Sequence, residues 1–253
     1  TANAFNATTN PAMGAFVHRS GDGAGTFTQT GVQLRWNYGA NGIACQAVDI
    51  KVFAVEMVLV PGGSFQVGDG TTTSVQGQFR NGSTNTPLTI SSENALTLGG
   101  SANGNLANNN ASVMNTADDF NNTTTQTLPA AFPKGFNAFY CMKYEISQGQ
   151  YRDFLNVLAY TQQVSRTTAA PNSAAGTGAL SNANRNGLDI QTPGNATTFV
   201  SAVYGSNLNG NGTYNESVDG ENIACNFLSW MDGAAFADWA ALRPMTELEF
   251  EKA

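Results

Sequence analysis

The side chains equipped for chemistry in this sequence are few. Glu247, Glu249 and Glu251 fall at i, i+2 and i+4, so on a helix Glu247 and Glu251 share a face while Glu249 points away. A carboxylate pair can act as general acid and base only across a cleft of suitable width. Carboxylates in a first helical turn otherwise answer the helix dipole, and that is the reading taken here. Arg243 is then expected to pair internally with one of these glutamates rather than clamp a substrate. His18 is the single histidine, which excludes any site built from two or three imidazoles, including the usual catalytic zinc and non-haem iron centres. It lies in a Gly-rich, strand-like region with no nucleophile motif beside it, so a Ser-His-Asp triad is set aside. Cys45, Cys141 and Cys225 are too few and too widely spaced for a disulfide scaffold or a zinc ribbon. Either one pair bridges in an oxidising compartment and leaves an odd thiol, or all three are buried apolar residues.

Bulk composition narrows the classes further. Only 11% of the 253 residues are charged, well below a typical soluble domain, while Asn, Thr and Gly number 29, 27 and 27. A surface solubilised by amides and hydroxyls is associated with secreted, cell-surface and filament-forming proteins. The net charge of −7 and the absence of any Lys/Arg run argue against nucleic acid as a partner, because phosphate recognition needs a clustered basic face. No 18-residue apolar stretch is present, so no transmembrane segment is expected. Thr1 reads as a mature terminus from which a targeting segment has been removed. Eight Asn-x-Ser/Thr acceptors occur where a composition this rich in Asn, Ser and Thr produces roughly five by chance, so they add little evidence for glycosylation.

The elements that must position these residues follow from periodicity. Residues 1–55 read as a β-rich N-terminal segment. Val32–Tyr38 alternates apolar and polar, as does Val48–Val52, the period-2 pattern of half-buried strands. Gly39–Gly42 supplies turn residues between them. The glycines at 21–25 suggest a phosphate loop, but no helix and no Lys-Ser/Thr follow, so a turn is expected. Pro61–Gly68 turns into a short strand. From 69 to 133 large apolar residues are dilute, which predicts an inserted surface loop with short strands at Leu88–Ile90 and Leu96–Leu98. A second insertion is expected at 171–220, with Asn-rich runs at Asn182–Asn186 and Asn207–Gly212. Three helix starts carry capping signals. Ser147 with Gln150 precedes an apolar face of Tyr151, Phe154, Leu155, Leu158 and Ala159. Ser229 caps a second helix with Asp232, whose buried side is predicted to carry Ala235, Trp239 and Leu242, with Trp230 and Trp239 as core aromatics. Thr246 with Glu249 opens a third after Pro244. That helix has only a few residues, too short to stand alone in water, so its partners are expected beyond Ala253 and the chain is read as ending mid-domain.

At these residues the sequence resembles a known family. Met57–Gly68 looks like the opening strand pair of the formylglycine-generating enzyme (sulfatase-modifying factor) family, and Phe139–Tyr151 like its strand leading into the first helix. Ser229–Trp239 is similar to its second helix, with Ser229, Trp230, Asp232 and Trp239 as signature positions. Arg243–Ala253 resembles its most diagnostic stretch, through Arg243, Thr246 and Glu249. The resemblance covers residues 56–253, taken as the N-terminal portion of such a domain with insertions at 69–133 and 171–220. Its wording looks like that of secreted members from gliding and marine Bacteroidetes-type bacteria.

The resemblance implies an α+β fold of the C-type-lectin-like kind. It also implies calcium, and copper bound by a redox cysteine pair, both in the half that follows the diagnostic helix. No catalytic or cofactor-binding residue is therefore assigned, and Cys141 and Cys225 are kept only as a candidate disulfide. The histidine-bound iron of the sulfoxide-synthase branch is excluded by the lone His18. Three functions follow as expectations. The first is an extracellular structural or adhesive protein, with filament formation as one form of it, whose partners are other copies of itself or cell-surface glycans and proteins. The second is a secreted copper-dependent oxidase of the formylglycine-generating type. The third is a lectin-like ligand-display domain.

Overall fold

The structure, a computed structural model, describes residues 2–6, 15–19, 21, 28, 30–33, 37–44, 50–68, 78–108 and 125–253. Cys45, most of the glycine loop at 21–25, the centre of the first expected strand at 34–36, and Val48 and Asp49 of the second lie outside them. In chain order the elements are β1 (Ala2–Asn6), β2 (Ala15–Arg19), a 3-10 turn (Tyr38–Asn41), β3 (Met57–Val60), β4 (Phe65–Val67), β5 (Phe79–Asn81), β6 (Leu88–Ile90), β7 (Leu96–Leu98), β8 (Leu106–Asn108), β9 (Gln126–Leu128) and β10 (Phe139–Met142). They continue with α1 (Gln148–Leu155), α2 (Tyr160–Val164), β11 (Leu188–Thr192), β12 (Val203–Ser206), α3 (Trp230–Trp239) and α4 (Glu247–Lys252). The architecture is mixed α+β with small sheets, the largest of the described ones being four-stranded in the order β5-β8-β7-β9. None of the described helices is long and apolar enough to cross a membrane.

The chain divides into two compact units, one of Thr1–Val55 with Ile146–Arg243 and one of Glu56–Glu145 with Pro244–Ala253. In the second unit β10 pairs antiparallel with β3, and β4 with β6. Strands β6 and β7 coincide with the two expected within 69–133. That stretch, however, is more than an inserted loop. Leu88, Ile90 and Leu106 join Val67 and Leu248 in a buried aliphatic core, flanked by Phe65, Phe79, Leu96, Leu98, Leu128 and Phe136. Widely spaced apolar residues suffice because each three-residue strand sends its alternate side chains to the same core. Gly68 shows how close the packing is: its φ is +77°, and a Cβ there would lie 2.0 Å from the Phe79 carbonyl oxygen.

Helix α4 finds its partners inside this unit, contrary to the expectation that they lie past Ala253. Leu248 enters the core, the Lys252 Nζ donates to the Gly135 carbonyl at 2.6 Å, and the Thr246 hydroxyl donates to the Pro133 carbonyl at 3.0 Å. Two charged residues pin the intervening loop. Glu93 accepts from the backbone N–H groups of Lys134 (2.7 Å) and Asn137 (3.0 Å). The Lys134 ammonium, 1% exposed, donates to the carbonyls of Pro129 and Phe132 at 2.9 and 2.8 Å. Burial lowers the Lys134 pKa, and the Glu93 charge opposes that shift.

In the first unit β1 and β2 form an antiparallel pair in which His18 stands opposite Asn3. The strands expected at Val32–Tyr38 and Val48–Val52 do not form over the residues described. Tyr38–Asn41 is instead a 3-10 turn closed by Gly42 at φ +69°, and residues 50–55 run as irregular chain with Ile50 and Val52 exposed. Alternation needs a neighbouring strand to pay its backbone hydrogen bonds, and none of the described segments pairs there.

Helix α1 begins where the capping box predicts, with Ser147 Oγ accepting from Gln150 N and Gln150 Oε1 from Ser147 N. Tyr151, Phe154 and Leu155 are its buried face, but the helix stops at Leu155 rather than running through Ala159. Asn156 ends it and bonds β12 with both ends of its amide: Nδ2 donates to Tyr204 O at 2.9 Å and Oδ1 accepts from Tyr204 N at 2.8 Å. Helix α3 is capped by Ser229 and Asp232 as expected. Trp239 joins Phe53, Phe154 and Phe236 in an aromatic cluster with ring centroids 5.0–5.9 Å apart. Trp230 does not. It is 73% exposed, because the first residue of the helix faces away from α1.

Candidate functional site

The signature positions take structural roles. Asp232 accepts from both the backbone N–H and the hydroxyl of Ser229 (2.9 and 2.7 Å), and its other oxygen accepts from Arg166 at 3.1 Å. Glu249 is buried and accepts from Thr246 N at 3.0 Å, completing the cap of α4. Glu251 accepts from Gly68 N, and Glu247 is exposed. Glu249 and Glu251 thus cap and tie their own unit, while Glu247 stands in the first turn of α4. Arg243 ends the other unit's segment.

Cys141 and Cys225 both carry free thiols, so the candidate disulfide is not formed in this structure. Burial, reinforced by the Asp232 charge, pushes the Cys225 thiol up to about 12. A thiol held protonated is a poor donor to copper, which binds thiolate. Among the described residues no group of three His, Cys, Asp or Glu could hold a metal ion. The residues described here do not fit the copper and calcium that the resemblance implies.

What sequence reading left as Asn-rich decoration at 171–220 is instead a built site. Its scaffold is the β11–β12 hairpin, in which Leu188, Ile190 and Tyr204 are buried. Neutral amides hold the flanking loops to α1 and α2. Gln148, fully buried, donates to Arg185 O at 2.7 Å and accepts from Gly187 N at 2.8 Å. Gln163, also fully buried, donates to the carbonyls of Leu155 and Ala202 and accepts from Ala202 N. Arg152 adds a charged clamp: it pairs with Asp153 and Glu221 and donates to Ser206 and Asn215.

These ties leave a cavity of about 730 Å³, lined by Asn182, Arg185, Asp189, Asn207, Tyr214 and backbone near Gly176. That volume lies within the range of small-molecule sites. Asp189, on β11, is only 9% exposed. Its one hydrogen bond from a side chain comes from Asn207 Nδ2, at 2.9 Å to Oδ2, so Oδ1 keeps its accepting capacity. Burial raises the Asp189 pKa and the Asn207 amide partly offsets this. Burial also raises that of Tyr214, and the Asp189 charge adds to it. Directly opposite Asp189 in the register stands Gly205. A Cβ there would meet the Tyr214 ring at 2.6 Å, so glycine is what lets the ring lie across β12. The loop is fixed by its own amides, with Asn207 Oδ1 accepting from Gly212 N and Asn207 N donating to Gly187 O.

Chemically the arrangement offers hydrogen-bond donors and acceptors from amides, a carboxylate and a guanidinium to a ligand. Sequence reasoning missed Arg185, Asp189, Asn207 and Tyr214 as a site. The available signal was the alternating Leu188-Asp189-Ile190, a carboxylate on the strand face opposite two core residues and between two Asn-rich turns.

A family model, the sulfatase-modifying factor enzyme 1-like domain, matches residues 48–253, which is most of the chain. No curated protein and no solved structure matches it. With four motifs in order and a match across both compact units, the chain belongs to the sulfatase-modifying factor enzyme 1-like domain family.

Proposed function

We propose that this domain is an extracellular adhesive module that uses a formylglycine-generating-type scaffold, of C-type-lectin-like form, to hold surface saccharide without catalysing a reaction on it. The observation that carries this reading is Asp189. Its carboxylate is 9% exposed and has a single side-chain hydrogen bond, from Asn207, which leaves it accepting capacity in a cavity lined by amides and a tyrosine. Carboxylate and amide groups are the complement of sugar hydroxyls, which both donate and accept. Low charge and the Asn/Thr-rich composition support an exported location, and small, mainly antiparallel sheets with packed helices support the lectin-like comparison.

Binding of the purified protein to an immobilised panel of neutral and acidic glycans tests the proposal. Wild type is expected to bind at least one class, with Asp189→Ala losing it. A wild type that binds none of them contradicts it. The family match favours a second reading, a copper-dependent oxidase. Copper-dependent oxygen consumption with a cysteine-containing sulfatase peptide supports that reading, and its absence ends it.

A further inference from the structure

We propose that the cavity selects saccharides bearing an anionic group, a carboxylate or a sulfate ester, through Arg185. This rests on the saccharide-binding reading above and adds the class of ligand.

The argument begins with backbone. Asn184 and Arg185 are consecutive and both left-handed, with φ of +53° and +61°. Asparagine tolerates that region, whereas arginine is strained in it. Such strain persists only where the surroundings over-determine it. Here they do so twice: Gln148 Nε2 donates to Arg185 O at 2.7 Å, and Asn226 Nδ2 donates to Asn184 O at 2.9 Å. Asn226 is itself tied, its Oδ1 accepting from Asn186 Nδ2 at 2.9 Å. The turn that carries Arg185 is therefore set by side chains from α1 and from the segment before α3.

What this turn delivers is a guanidinium with no partner. Arg152 and Arg166 in the same unit are each paired with carboxylates, whereas the Arg185 side chain makes no ion pair or hydrogen bond within the described residues. Nor does it neutralise Asp189, although both line the cavity, for Asp189 is held by the neutral amide of Asn207. The cavity thus presents two opposite charges that have not satisfied each other. A ligand that satisfies both needs an anion for Arg185 and hydroxyl donors for Asp189. An acidic sugar carries both on one ring. The planar guanidinium matches carboxylate and sulfate in a bidentate fork, which a neutral sugar cannot use. The volume of about 730 Å³ leaves room for more than one ring.

Calorimetric titration of the full chain with three trisaccharides of one linkage tests this: galactotriose, trigalacturonate and sulfated galactotriose. At least one acidic form should bind about tenfold or more tighter than the neutral one, as a charge-assisted hydrogen bond predicts. Arg185→Asn should erase the preference, bringing the ratio of acidic to neutral affinity to about one. Asparagine suits the left-handed backbone, so this variant is expected to fold at least as well as wild type. Arg185→Lys should keep only part of the preference. Equal wild-type affinities, or a preference that survives Arg185→Asn, overturn the inference while the saccharide reading stands. Binding of none of the three overturns both.

Discussion

In the unit of Glu56–Glu145 and Pro244–Ala253, buried charge is used up internally. Glu93 accepts two backbone N–H groups, and the Lys134 ammonium is enclosed by carbonyls. In the unit of Thr1–Val55 and Ile146–Arg243 the equivalent loop-pinning falls largely to neutral amides, Gln148, Asn156 and Gln163, with Arg152 and Arg166 paired beside them. Both units have short elements and long irregular connections, so both need side chains to satisfy backbone groups that no sheet or helix reaches. They differ in what remains. Where amides do the pinning, Asp189 and Arg185 line a cavity with capacity for a ligand; where charges do it, Glu93 and Lys134 are themselves taken up by backbone groups.

The contrast can be broken most severely through the apolar core of the first unit. Phe154→Ala removes the ring at the centre of the Tyr151, Phe236 and Trp239 contacts and should cost about 4 kcal/mol in urea unfolding. In the second unit the sensitive point is polar. Glu93→Ala strands two N–H groups and strips the Lys134 ammonium of its nearby countercharge, so a loss of about 3 kcal/mol is expected by the same measurement. Thr246→Ala loses both the α4 cap and the bond to Pro133 O, for about 1 kcal/mol.

The smallest effect should have the opposite sign. Burial raises the Asp189 pKa above its ordinary 3.8, so the folded state holds that proton more tightly than the unfolded chain does. Stability is then lost as pH rises through the folded value, and below 3.8 there is no penalty. Asp189→Asn should stabilise at pH 7 by at most about 1 kcal/mol, and denaturation below pH 3.8 should find the gain gone. Stabilisation at the expense of binding would mark Asp189 as a residue kept for function.

Legibility in the sequence followed the range of the physics involved. The helix starts at Ser147, Ser229 and Thr246 were legible because a capping box is complete within four residues. So were the strands at Leu88–Ile90 and Leu96–Leu98, each bounded by turn residues. Over the residues described, the strands expected at Val32–Tyr38 and Val48–Val52 do not form, because alternation says nothing about whether a partner is available. Trp230 was misplaced because helical spacing was counted from the wrong face. The cavity was illegible for a related reason: Arg185, Asp189 and Asn207 converge only through a hairpin register and through amides reaching from α1. The role of Leu248 needed strands 140 or more residues away, Leu106 and Ile90 among them.

The most direct test of the central claim compares the two units in one experiment. Backbone amide NMR of the full chain titrated with trigalacturonate and sulfated galactotriose should give shifts centred on Gly176, Asn182–Asp189 and Asn207–Gly212, with Glu56–Glu145 silent. Shifts centred on Glu56–Glu145, or none anywhere with either sugar, would contradict the account.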